Sequence, residues 1–131
     1  MKGGGEVVYP ELSYQIIGVV FEIFNDIGFG YQEKIYQKAL ENVFSDIGIK
    51  FIAQSPYVVR YKGEIIGRYY LDFIVENKIV IEIKQGDHFS RRYFNQVLAY
   101  LKASNMKLGL LINFTSSGVK FKRLLNINNN L

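Results

Sequence analysis

Apolar positions follow two different periods along the chain. Leu12, Ile16, Val20, Ile23, Phe24 and Ile27 recur at helical spacing, which predicts a first helix over 11–27. Pro10 suits its first turn and Gly28 its stop. A second helix is expected over 31–47, ending at Gly48, with Gly28-Phe29-Gly30 as the sharp turn between them. The period then shortens. Segments 49–54, 57–61, 65–75 and 79–84 are rich in β-branched and aromatic residues and read as four strands. Lys62-Gly63-Glu64 and Glu76-Asn77-Lys78 read as hairpin turns. A third helix fits from its cap, Ser90, to about Ala103. The run Leu108–Phe114 is a buried strand, and 119–125 is a strand or a short helix. The order ααββββαβ(β/α) is that of an α/β domain with a mixed central sheet flanked by helices.

One domain over 11–125 is expected, with a flexible leader at 1–10 and a frayed tail at 126–131. No repeat or linker divides it. No apolar run approaches a membrane span, and Met1-Lys2-Gly3-Gly4-Gly5 lacks the apolar stretch of a signal peptide, so no membrane partner and a cytoplasmic location are expected.

Composition narrows the chemistry. The 131 residues include no cysteine and one histidine, His88. Disulfides, thiol nucleophiles, thiolate zinc sites and multi-histidine metal centres are therefore excluded. Any catalysis must use carboxylates, lysine, tyrosine or hydroxyls, with an oxygen-liganded metal. The net charge of +4 conceals an uneven distribution: all twelve acids lie in residues 1–87, and residues 88–131 carry seven bases and no acid. That stretch reads either as a polyanion-facing surface or as an ordinary solvated one.

A hairpin centred on Asn77 pairs residues whose numbers sum to 154, which sets Asp72 opposite Glu82 with β-carbons about 5 Å apart. Their neighbours are apolar, so two carboxylates here repel unless a hard divalent cation such as Mg²⁺ lies between them. Lys84, two residues after Glu82, shares its face, and the Ile83 carbonyl offers a further oxygen. Two carboxylates, a lysine and a metal are the parts needed to hydrolyse a phosphodiester. A two-residue turn would instead make the sum 153 and separate the two acids onto opposite faces. The same residues also fit a surface ion pair on an edge strand.

Several motifs occur in order. Gly30-Tyr31-Gln32-Glu33-Lys34-Ile35-Tyr36 reads Gly-x-x-Glu-x-x-Tyr and runs on into Gln37-Lys38-Ala39-Leu40. Tyr61-Lys62-Gly63, Leu71-Asp72, Ile81-Glu82-Ile83-Lys84, Gln96-Val97-Leu98-Ala99-Tyr100-Leu101 and Gly109–Phe114 follow. Together they resemble the GxxExxY family of the PD-(D/E)XK nuclease superfamily, over about residues 11–125. The resemblance implies a restriction-endonuclease-like core, Asp72 and Glu82 as ligands of Mg²⁺ or Mn²⁺, and Lys84 as the catalytic lysine. It also implies that Glu33 completes the metal shell, directly or through water. Gln96 and Tyr100 match a Gln-x-x-x-Tyr motif and share one helix face, where they would position the site or contact DNA. Two positions depart from the pattern: Leu71 stands where the superfamily name has proline, and Tyr93 where family members often have histidine.

Arg91, Arg92, Lys120, Lys122 and Arg123 are candidates for phosphate contacts, or else solvated charges. Tyr69, Tyr70 and Tyr93 could stack on bases or pack at the rim. His88 is a loop residue near the Glu-x-Lys strand. Gly18 is expected to allow close helix packing. The leading expectation is a Mg²⁺- or Mn²⁺-dependent nuclease acting on DNA, with RNA not excluded. The alternatives are a catalytically silent nucleic-acid-binding module of the same fold and a homodimeric protein-interaction domain.

Overall fold

Tyr36, Leu40 and Phe44 recur every four residues and are fully buried, as are Ile16 and Val20 of the preceding helix; these stripes dock both helices onto one sheet face. The computed structural model describes residues 7–126. Two helices, α1 (Pro10–Ile27) and α2 (Glu33–Ile47), precede strands β1 (Phe51–Tyr61), β2 (Glu64–Val75) and β3 (Ile79–Gln85). Helix α3 (Arg91–Ser104) and strands β4 (Leu108–Thr115) and β5 (Gly118–Leu125) complete the chain. The sheet order is β1-β2-β3-β4-β5, antiparallel except for the parallel β3–β4 pair that α3 connects. This is the expected mixed α/β architecture, consistent with a restriction-endonuclease-like fold.

The two helices pack against Phe73, Val75, Ile79, Ile81, Ile83, Leu108, Leu110, Ile112 and Phe114. On the opposite face α3 packs Val97 and Leu101 against Leu71, Ile74 and Val80. Close approach there depends on Gly109, where an added Cβ would fall 2.6 Å from Val97 Cγ1. Among the described residues no helix is long and apolar enough to cross a membrane.

Three expectations change, and one left open resolves. The segments 49–54 and 57–61 are one strand, β1, which runs through Ser55 and Pro56. Proline is tolerated because β1 is the sheet edge. The interruption that suggested two strands is real but local: Gln54 has φ +53° and drops out of the ladder between the pairs Ala53–Phe73 and Ser55–Leu71. The last segment is a strand, paired antiparallel with β4. Helix α2 starts at Glu33 rather than Tyr31, because Gln32 is still extended. Gly18 has open space around it, since an added Cβ would meet nothing within 4 Å, so it serves no close packing.

At the ends, Val8 and Tyr9 pack against the helical core. The Asn126 side chain donates to the carbonyls of Leu101 and Met106 at 2.9 and 3.0 Å. The rest of the expected leader and tail, 1–6 and 127–131, lies outside the described residues.

Candidate functional site

The β2–β3 hairpin has the three-residue turn that the 154 register requires. Val75 pairs with Ile79, Ile74 with Val80 and Phe73 with Ile81. The ladder then stops. β2 continues beside β1 while β3 continues beside β4, so the two strands part at Asp72 and Glu82. Side chains replace the missing backbone bonds. Asp72 Oδ2 accepts from the Ile83 N–H at 2.7 Å, and Glu82 Oε1 accepts from the Asp72 N–H at 3.3 Å. Each carboxylate thus closes part of the fork with one oxygen.

Both acids are half-buried, and their protonation reflects it. Burial raises Asp72 above its ordinary range; the Ile83 N–H, Lys84 and Gln54 oppose that. Burial first, and the Asp72 charge second, push Glu82 up to about 7 despite Lys84. The Lys84 Nζ lies 3.7 Å from Glu82 Oε2, with side chains only 19% and 14% exposed. The same ammonium sits 4.2 Å from the centroid of the Tyr93 ring. Tyr93, the residue that departs from the family pattern, therefore supports the lysine with its π-face.

Glu33 opens α2 and its Oε2 accepts from the Gln85 N–H at 3.3 Å, at the end of β3. It is close enough for its charge to raise both Asp72 and Glu82. It does not join them in one cage: among the described residues no three Asp, Glu or His side chains are grouped to hold an ion. The Gly-x-x-Glu-x-x-Tyr motif thus has two jobs. Glu33 reaches the site, while Tyr36 is buried, stacks on Phe114 at 3.9 Å between centroids, and donates to the Gly28 carbonyl at 2.5 Å. Gly30, at φ +114°, allows the turn that delivers them.

Gln96 and Tyr100 of α3 line a small cavity together with Glu82, Tyr57, Tyr69 and Tyr70. The Tyr100 ring meets Tyr57 edge-on at 4.9 Å, and its hydroxyl lies 3.8 Å from Met106 Sδ. Its place is the wall of this cavity. Tyr69 and Tyr70 remain exposed.

The basic candidates separate. Arg91 and Arg92 are exposed at the start of α3, and the Arg92 guanidinium lies 5.8 Å from the Tyr93 ring. Lys120 and Lys122 are exposed on β5, opposite Asn113 and Leu111. Arg123 is committed elsewhere: it donates to Ser13 Oγ at 2.8 Å and to the Val8 carbonyl at 2.9 Å, fastening β5 to the start of α1. His88 is exposed beside Asp87 and outside the fork.

Sequence reasoning missed Gln54 and Gln37. Gln54 Nε2 donates to Asp72 Oδ1 at 3.2 Å and to Gln37 Oε1 at 2.8 Å, and Gln37 Nε2 donates to Glu41 at 3.2 Å. This relay runs from α2 to the fork and holds the second oxygen of Asp72. The one available signal was the repeat Glu33, Gln37, Glu41 at four-residue spacing, a polar stripe beside the buried one.

Two parted strands, two carboxylates held by backbone N–H groups and a lysine on the same face can bind a hard cation and face a phosphate. Residues 10–124 match the family model of the PD-(D/E)XK nuclease superfamily. No curated protein matches the chain. The crystal structure of SSO0001 is similar at TM-score 0.56 and 19% identity, over 92% of this chain and 59% of that one. That likeness concerns the fold alone, and this chain spans 59% of that protein's length.

Proposed function

The chain belongs to the PD-(D/E)XK nuclease superfamily, and from that premise we propose that it is a divalent-metal-dependent nuclease hydrolysing phosphodiester bonds of DNA in the cytoplasm. The Gly30–Tyr36 motif supports the narrower GxxExxY group. The observation that carries the reading is the fork: Asp72 and Glu82 meet where β2 and β3 part, with Lys84 Nζ 3.7 Å from Glu82.

The donor set fits Mg²⁺ or Mn²⁺. Two adjacent carboxylates, both raised by burial, are poorly compensated by one lysine, and hard oxygen donors are what such ions take. Asp72 and Glu82 would hold the ion. The Ile83 N–H is aimed at Asp72, and strand geometry sends its carbonyl to the same side as a further donor. Glu33 would add charge from the rim. When bound, such an ion supplies charge stabilisation at the phosphate and a more acidic water.

The chain's own groups do the rest. Lys84, seated over Tyr93, presents a cation to a phosphate oxygen and orients the attacking water. Gln54 keeps the Asp72 carboxylate turned into the fork. Arg91, Arg92, Lys120 and Lys122 extend the positive field along the strand's path. Gln96 lines the cavity behind Glu82 and positions that carboxylate.

The test is cleavage of labelled DNA with Mg²⁺ or Mn²⁺. Cleavage is expected to vanish in Asp72→Ala and in Lys84→Ala, and to stop with EDTA. Activity that survives both substitutions, or that ignores EDTA, overturns the mechanism.

A further inference from the structure

A cavity of about 350 Å³ lies over β4 and β5, one strand away from Lys84 and on the same face of the sheet. That volume is within the range of small-molecule pockets. Its floor is β4, through Leu111 and Asn113; Phe89 adds an aromatic wall, and Lys120 and Lys122 stand at its rim. Asp87 closes one side, its carboxylate held by the Ser116 N–H at 2.8 Å and the Ser116 hydroxyl at 2.7 Å.

Asn113 is the unexplained group. It is only 4% exposed, and its Oδ1 is buried with no hydrogen-bond partner among the described residues. Its strand is otherwise apolar from Leu108 to Phe114 except for Gly109. A buried amide oxygen without a partner is rare in a folded domain and points to something outside the chain that satisfies it. The neighbours define where that something sits. In the parallel ladder Asn113 is the partner of Lys84, one strand spacing (about 5 Å) away. In the antiparallel ladder it is the partner of Lys120.

We propose that this cavity receives one unstacked nucleobase of the bound strand, beside the phosphate that Lys84 faces. An amide offers both a donor and an acceptor to a base edge. Phe89 supplies an aromatic surface for the base. Lys120 and Lys122 meet the adjoining phosphates, as their position at the rim requires. The substrate class follows: a single strand, or a duplex locally unpaired at the cut, because a base within an intact stack cannot enter a side cavity. The inference rests on the nuclease reading and extends it to the form of the substrate.

The test uses the full chain and a set of single-stranded 12-mers, each lacking the base at one position, bound in EDTA and followed by fluorescence anisotropy. One position is expected at which base loss weakens binding about tenfold, the size of one lost stacking contact. Asn113→Leu, similar in volume, and Phe89→Leu, partly exposed, are each expected to flatten that dependence. Cleavage of the intact strand with Mn²⁺ is measured in parallel. A flat scan on a strand the protein cleaves overturns the proposal and leaves the nuclease reading standing. So does a scan unchanged in both variants, which would leave a buried water as the partner of Asn113. Competition by a free nucleoside monophosphate at lower concentration than the strand also overturns it, since the cavity would then serve a separate nucleotide. Neither binding nor cleavage of any strand overturns both readings together.

Discussion

One face of the sheet is closed by α1 and α2, while the other has α3 alone, and the two faces differ in what they bury. Under α1 and α2 the strand residues are aliphatic or aromatic, from Phe73 to Phe114. Under and beside α3 lie a smaller cluster, then Glu82, Lys84 and Asn113, with Asp72 in the fork between the strands. Strand alternation makes this division possible: Ile81 and Ile83 point into the packed face, and Glu82 and Lys84 into the other. One run of residues thus supplies stability and chemistry at once, and a change confined to one face should leave the other's property largely intact.

The sharpest way to break that comparison is to neutralise one acid. In Asp72→Asn, cleavage is expected to fall by a factor on the order of 10³ or more. The melting temperature should hold or rise, because a half-buried pair of like charges is removed. Cleavage rates and thermal melts on the same preparation check this. A large drop in melting temperature would show the pair to be a structural element of the fork. The mirror-image change is Phe114→Ala, which removes a fully buried ring stacked against Tyr36 and, at 6.2 Å, against Phe24. It is expected to cost about 3–5 kcal/mol by denaturant titration, and the protein that remains folded should still cleave.

Acidity supplies the next test. Glu82 is pushed up to about 7 in the folded chain, from 4.5. Below 4.5 both folded and unfolded chains hold this proton. Between 4.5 and 7 the unfolded chain gives it up first, so stability falls as pH rises through that window, then levels off. Asp72 is raised too and acts in the same direction. The Glu82 share is on the order of 3 kcal/mol in the absence of a divalent ion. Thermal melts across the window in EDTA should show the slope, Glu82→Gln should flatten it, and Mn²⁺ should offset it. A slope unchanged in Glu82→Gln assigns the effect to another group.

What could be read in advance follows the range of the interactions. The pairing of Asp72 with Glu82 was legible because a hairpin register depends on a turn only three residues long. The face shared by Glu82 and Lys84 was legible from alternation. The relay through Gln54 was not, since it needs a left-handed backbone at a non-glycine residue and partners 17 and 18 positions away. Arg123 looked like the other bases of its segment, and only its contact with Ser13, 110 positions distant, sets it apart. Asn113 carried a local sign, a lone amide in an apolar strand, but its missing partner is visible only in three dimensions.

Gly109 joins the two properties that strand alternation otherwise keeps apart. It lies on the α3 face, and a methyl group there would fall 2.6 Å from Val97 Cγ1 and 3.5 Å from Leu101 Cδ1. Val97 is buried and its branched side chain is stiff at χ1, so α3 itself must move out in Gly109→Ala. Overpacking of this kind costs about 1–3 kcal/mol. Gln96 precedes Val97 and Tyr100 follows three residues later, so the wall of the cavity behind Glu82 moves with the helix. A several-fold loss of cleavage is expected, much smaller than for Asp72→Asn. Adding Val97→Ala makes room for the methyl group, and the double variant should recover both stability and rate relative to Gly109→Ala alone, a coupling that a double-mutant cycle reads directly. Additive losses would mean that α3 holds its place and that the carboxylates act without its support.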